Sequence, residues 1–136
     1  MTRNRWPRAA AAILLCAICG RAFPSDTPQP WKAPPRAAHK KNPIAADGDS
    51  VSAGRTVYAN NCLACHGPHG HGDGPKGRAM HRKPCDFCDP QVQAQSDGAL
   101  FWKINEGKPP MPSFDEMLGD EDRWNVINYI RTLPRK

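Results

Sequence analysis

The sequence predicts an all-α domain of three main helices plus short helices and loops, and three observations predict it. The pentad Cys62-Leu63-Ala64-Cys65-His66 sets two thiols and an imidazole within five positions. Apolar residues recur at helical spacing in three stretches: before that pentad, from Ser96 to Gly107, and from near Asp120 to Leu133. The connections between them are glycine- or proline-rich, in a chain of 136 residues with 11 glycines and 15 prolines. The pentad is the attachment signature of c-type haem. Each thiol adds to one of two haem vinyl groups at neighbouring corners of the ring, and one helical turn brings both sulfurs to that edge. The next residue then swings its imidazole beneath the iron. A bare CxxC also serves redox dithiols and half zinc sites, but neither requires His66. The domain therefore wraps around one covalently attached haem, whose large apolar ring staples a core that is marginal at this size.

Residues 1–22 read as a secretory signal peptide. Arg3, Arg5 and Arg8 precede the apolar run AAAAILLCAICG of residues 9–20, and Gly20-Arg21-Ala22 sets small residues at a cleavage site. An uncleaved anchor is the alternative, although twelve apolar residues fall short of the roughly 20 that span a bilayer. Leu15 and Ile18, which stand before Cys16 and Cys19, fit a lipoprotein signal poorly. Export places the domain in the periplasm, where bacteria attach c-type haem. Residues 23–46 hold six prolines and few apolar side chains, and are expected as an extended linker. His39 in that segment, among basic residues, reads as solvated.

Residues 47–136 form the predicted domain. Asp49 or Ser50 is the expected cap of the first helix, through Val51, Gly54, Val57, Tyr58 and Asn61. Gly54 inside that helix costs about 1 kcal/mol against alanine, so close approach of a second helix is expected there. Residues 67–84 are expected as a glycine-rich loop around a flat ligand. A phosphate-binding loop is the rival reading, weakened by the lack of a preceding strand and of a following Gly-Lys-Ser/Thr. Ser96 caps the second helix, which stops at Gly107. Lys108-Pro109-Pro110-Met111-Pro112-Ser113-Phe114 is a stiff loop centred on a methionine. The last helix starts near Asp120, with Trp124, Ile127 and Ile130 as its apolar stripe and Val126, Tyr129 and Leu133 beside it.

The formal charge of +6 overstates the basicity of the domain. Without Arg3, Arg5, Arg8 and Arg21, the 19 basic residues fall to 15 against 13 acidic ones. Nothing in the pattern resembles a nucleic-acid-binding design.

The ordered set Cys62-Leu63-Ala64-Cys65-His66-Gly67, Gly72-Asp73-Gly74-Pro75, Lys83-Pro84, Asp86-Phe87, Ser96-Asp97-Gly98, Met111-Pro112-Ser113-Phe114 and Trp124 with Tyr129-Ile130-Arg131 resembles the class I c-type cytochromes, the small bacterial monohaem kind. The resemblance spans residues 54–133. It implies a cytochrome c fold with His66 as the proximal haem ligand and Pro75 as the carbonyl that receives its other ring nitrogen. It also implies Met111, 45 residues after His66, as the distal ligand, and a crossing of Gly54 and Tyr58 against Tyr129. Met80, a histidine among His69, His71 and His81, or an open position are the alternatives to Met111. Met117 reads as packing.

Cys85-Asp86-Phe87-Cys88 departs from that pattern. A disulfide, or two thiols without a role, is the expected reading of these cysteines in an oxidising compartment. A redox dithiol or a metal site of His81, Cys85 and Cys88 is the alternative. The expected function is one-electron transfer as a periplasmic carrier between a redox donor and a redox acceptor. Lys76, Arg78, Arg82 and Lys83 would face an acidic docking surface. The alternatives are the haem subunit of an oxidoreductase complex and an open-site enzyme or gas sensor. Membrane contact is expected only through a partner or an uncleaved signal.

Overall fold

The computed structural model describes residues 31–133. They form, in order, α1 (Pro35–Ala38), α2 (Gly48–Asn61), α3 (Leu63–His66), α4 (Pro75–Ala79), α5 (Pro90–Gln93), α6 (Asp97–Glu106) and α7 (Asp120–Ile130), with no strand among the described residues. The predicted signal peptide and residues 23–30 of the predicted linker lie outside that range.

The three long helices are the predicted ones, with one shift at the first. Asp47 caps α2, not Asp49 or Ser50: its carboxylate accepts the Ser50 N–H at 2.9 Å. Ser50 is committed elsewhere, its hydroxyl donating to the Asn125 side chain on α7 at 2.7 Å. The Ser96 hydroxyl accepts the Ala99 N–H at 3.2 Å to open α6, which ends at Gly107. The acidic first turn of α7, Asp120-Glu121-Asp122, complements the N-terminal end of the helix dipole.

The frame is the crossing of α2 and α7. Gly54 makes it: a Cβ added there would overlap the Asn125 carbonyl and come 3.0 Å from Tyr129 Cβ. One helix backbone thus lies against the other, which accounts for a glycine in mid-helix. Tyr58, one turn further on, is buried with its ring 5.2 Å from that of Tyr129 and 6.3 Å from that of Phe87. Its hydroxyl donates to the Gly67 carbonyl at 2.7 Å. Tyr58→Phe keeps the ring but leaves that carbonyl with only the longer Gly70 N–H at 3.3 Å. The variant is expected to lose about 1 kcal/mol of stability, read as a lower denaturant midpoint at unchanged slope.

A second apolar cluster joins α6 to α7 through Leu100, Phe101, Trp124 and Ile127. Phe101 stacks on Trp124 at 4.0 Å, and the buried Arg123 guanidinium lies 5.0 Å over the Phe101 ring while pairing with Asp115 and Asp120. Arg131 ties the end of α7 to the start of α6. It donates to Asp97 at 2.7 and 3.0 Å and to the Gln93 and Gln95 carbonyls at 2.8 and 2.5 Å.

The expected linker does not remain extended over residues 31–46. These residues lie against α6 and α7. Asn42 donates to the Asn128 side chain at 2.8 Å, and Asn128 donates to Ser50 Oγ at 2.7 Å and to the Ile44 and Ala45 carbonyls at 3.3 Å. Ile44 packs on the α6–α7 cluster, and the Ser96 hydroxyl donates to the Ala38 carbonyl at 2.6 Å. A few anchoring side chains suffice to dock a proline-rich segment, because prolines restrict its unfolded ensemble and lower the entropy lost on docking.

Candidate functional site

The end of α2 and the single turn of α3 carry the pentad. The His66 N–H bonds to the Cys62 carbonyl at 2.8 Å and the Gly67 N–H to the Leu63 carbonyl at 2.8 Å. That turn places Cys62, Cys65 and His66 in the wall of one cavity of about 340 Å³. Burial first, and Cys65 second, push the Cys62 thiol up to about 12, so it is protonated at neutral pH.

The chain after the pentad folds back over its own backbone. The Gly72 N–H bonds to the His66 carbonyl at 2.9 Å and the Gly74 N–H to the Cys65 carbonyl at 3.2 Å. A Cβ at Gly74 would come within 2.5 Å of the Ala64 carbonyl oxygen, so only glycine lets α4 lie along α3. This short helix lies within the predicted loop and begins at Pro75. Pro75 is the first helical residue of α4, is exposed and is absent from the cavity wall. The Pro75 carbonyl expected to receive the His66 ring makes no hydrogen bond to its Nδ1. Pro84 and Cys85 line the cavity, and the Cys85 backbone is the polar group that acts on the imidazole, favouring its protonated form. Burial outweighs it and holds His66 below the usual histidine range, in the neutral form that binds metals. Its Nδ1 is buried without a hydrogen-bond partner. The ring plane is set by Phe87, which stacks on it at 4.3 Å and 15° and whose N–H bonds to the Gly70 carbonyl at 2.7 Å.

Another part of the wall comes from the proline loop. The Met111 N–H bonds to the Lys108 carbonyl at 2.9 Å, the Phe114 N–H to the Ile104 carbonyl at 3.1 Å, and the Ser113 hydroxyl to the Asn105 carbonyl at 2.5 Å. Phe114 is buried and anchors the loop, and Met111 lines the cavity. Met80 lines it too. Met117 is 61% exposed and lies outside it, as do His39, His69, His71 and His81. The remaining wall is mostly apolar, from Ile104, Leu118, Val126 and Ile130.

Two features of the site were not anticipated. Trp31 stands in the cavity wall, its ring 6.3 Å from that of Trp102, with the Lys103 ammonium 5.3 Å and the Lys108 ammonium 5.9 Å over it. A lone tryptophan in a proline-rich stretch was the available signal. Second, Cys85 and Cys88 are both free thiols, so of the two expected forms the structure shows the thiols and not the disulfide. The buried Phe87 between them turns them apart: Cys85 lines the cavity, whereas the Cys88 thiol donates to the His69 carbonyl at 3.5 Å. The alternative metal set of His81, Cys85 and Cys88 is not brought together either. Of the basic residues, Lys76, Arg78, Arg82 and Lys83 are all exposed, and Arg82 and Lys83 reach the cavity wall beside Lys108.

An apolar cavity edged by the thiols of Cys62, Cys65 and Cys85, one neutral imidazole and two thioethers fits a flat ring that carries a metal ion at its centre. The donors suit iron in a macrocycle. A family model described as "Cytochrome C oxidase, cbb3-type, subunit III" matches residues 49–130. The chain belongs to the c-type cytochromes. It carries covalently attached haem c and transfers electrons through it, within a cytochrome c fold. This cytochrome is 31% identical over 91 residues to cytochrome c6 of Gracilaria tenuistipitata var. liui, covering 64% of the chain and 73% of that relative. It is 29% identical over 118 residues to cytochrome c6 of Thermostichus vulcanus, 87% of each. Among solved structures it resembles a chain of the Kuenenia stuttgartiensis reducing HAO-like protein complex Kustc0457/Kustc0458, with TM-score 0.61 and 29% identity over 67% of this cytochrome. The match spans only 46% of that larger chain. The KustC0563 c-type cytochrome is similar at TM-score 0.52 and 30% identity, over 59% of this cytochrome and 95% of that chain. No helix of the described residues is long and apolar enough to cross a membrane.

Proposed function

We propose that this cytochrome is a periplasmic electron carrier between separate redox proteins, and not itself an enzyme. Cys62 and Cys65 would hold the haem through thioethers, with His66 as proximal and Met111 as distal ligand. The observation that carries this reading is one cavity whose wall contains all four residues. Bound there, haem c supplies a one-electron Fe(III)/Fe(II) couple, which a thioether ligand biases toward the reduced state. The work of the chain is to hold the ligands. Burial keeps His66 neutral, Phe87 fixes its plane, and the hydrogen bonds at Lys108, Ser113 and Phe114 present Met111. With His66 and Met111 both holding the iron, no position would remain for a substrate. Arg82, Lys83 and Lys108 at the cavity favour an acidic docking partner.

The likeness to a chain of a reducing HAO-like complex favours a second reading, in which this cytochrome is the haem subunit of a larger assembly. Migration of the native holoprotein alone, against its behaviour in a complex isolated from the source membrane fraction, separates the two.

The test of the attachment is mass. The holoprotein made with a working maturation system is expected to carry one haem that survives denaturation. The double variant Cys62→Ala with Cys65→Ala is expected to carry none. Covalent haem on that variant, or none on the parent, overturns the assignment.

A further inference from the structure

We propose that His71, Asp86 and Cys88 form a second metal site, outside the haem cavity, for a divalent cation of the zinc type. One ligand atom from each residue lies within 4.8 Å of the other two. His71 Nδ1 is 3.1 and 3.2 Å from the two carboxylate oxygens of Asp86. The Cys88 N–H donates to Asp86 Oδ1 at 2.7 Å, which fixes the carboxylate between the other two groups. None of the three lines the haem cavity.

The donor set selects the metal. One imidazole, one carboxylate and one thiolate suit a borderline-soft ion such as Zn²⁺, whereas Ca²⁺ and Mg²⁺ take oxygen ligands. The His71 and Asp86 side chains are 49% and 44% exposed, which leaves a fourth position open to water. A salt bridge between His71 and Asp86 alone would contribute little at that exposure and would give Cys88 no part. On binding, the Cys88 thiol gives its proton to solvent, His71 coordinates as neutral imidazole, and the metal joins sulfur, nitrogen and oxygen.

The site spans the joint that holds the proximal side of the haem. His71 follows Gly70, whose carbonyl receives the Phe87 N–H, and Phe87 stands between Asp86 and Cys88 with its ring on His66. A metal here would clamp the two segments that place Phe87. The proposal is independent of which methionine ligates the haem.

The test is calorimetric titration of the holoprotein, thiols reduced, with zinc chloride at neutral pH in a non-chelating buffer. One equivalent is expected to bind, and to raise the thermal midpoint. Cys88→Ser and His71→Ala should each weaken binding at least about tenfold, while His81→Ala leaves it unchanged. Unaltered haem spectra certify that the variants are folded. Zinc should also slow alkylation of Cys88 by iodoacetamide in the parent. Failure of the parent to bind zinc, or equal binding by the Cys88 and His71 variants, overturns the proposal.

Discussion

Met111→Ala is expected to lower the reduction potential by on the order of 0.1 V and to admit carbon monoxide to the ferrous protein. The loop around Met111 is restricted by three prolines and closed at both ends, so its sulfur is presented with little entropy left to lose. That compensates for a weak metal–thioether bond. Removing the side chain leaves the loop anchored by Phe114 and Ser113, so the effect should fall on the haem and not on folding. The unaltered ferrous protein should bind carbon monoxide poorly at neutral pH. Met80 shares the cavity, so Met80→Ala is the decisive control. It should change neither property, and neither should Met117→Ala. An effect from Met80→Ala instead would move the distal ligand and preserve the carrier role. Ready binding by the unaltered protein would place a catalytic or sensing role ahead of electron transfer.

Gly54→Ala is expected to destabilise the holoprotein by about 3 kcal/mol or more, a large share of a small domain's stability. The added methyl has nowhere to go, because the obstruction is the Asn125 carbonyl of a helix backbone. Relief requires α2 and α7 to separate, and with them Tyr58, Val126 and Tyr129. Gly48→Ala in the same helix is the control: an added Cβ there meets nothing within 4 Å. It should be neutral or stabilising by up to about 1 kcal/mol. Thermal or denaturant midpoints of the two variants distinguish a local propensity effect, which both would share, from a steric effect peculiar to Gly54.

The contrast between these glycines shows what a linear pattern encodes. The haem pentad was legible because its chemistry is confined to one turn. Gly54 was legible because a glycine in mid-helix is locally unfavourable and demands a distant cause. The α2, α6 and α7 helices followed from apolar spacing and, at Ser96, from a cap. The surroundings of the His66 ring were not legible in the same way. Pro68, Pro75 and Pro84 all follow the pentad, and the resemblance singled out Pro75, whereas Pro75 opens α4 in an exposed position and Pro84 and Cys85 line the cavity. The cap of α2 was misplaced because Ser50 serves an inter-helix network visible only in three dimensions. The Cys85–Cys88 spacing suggested a bridge, but a buried phenylalanine between two residues sends their side chains in different directions. His71 came to Cys88 and Asp86 through a loop closure that no motif records. Residues 31–46 looked unable to contribute to a core, and composition hid the few anchors, Trp31, Asn42 and Ile44, that dock them.

The wide sequence separation of the contacts around α7 bears on the order in which the protein assembles. Asn42 and Asn128 meet across 86 residues, and Ser50 and Asn125 across 75. The bonds that shape the pentad and its loop join neighbours: Tyr58 and Gly67 lie 9 residues apart, His71 and Asp86 15. In a chain that emerges N-terminus first, the local set can form early, while α2 waits for α7 to follow. Until then Tyr58 has no Tyr129 to pack on and the cavity has no Val126 or Ile130 to close it. Contact order thus leaves an interval in which the thiols of Cys62 and Cys65 are presented on an open surface. The late arrival of the last helix would close that surface over whatever has been joined to it.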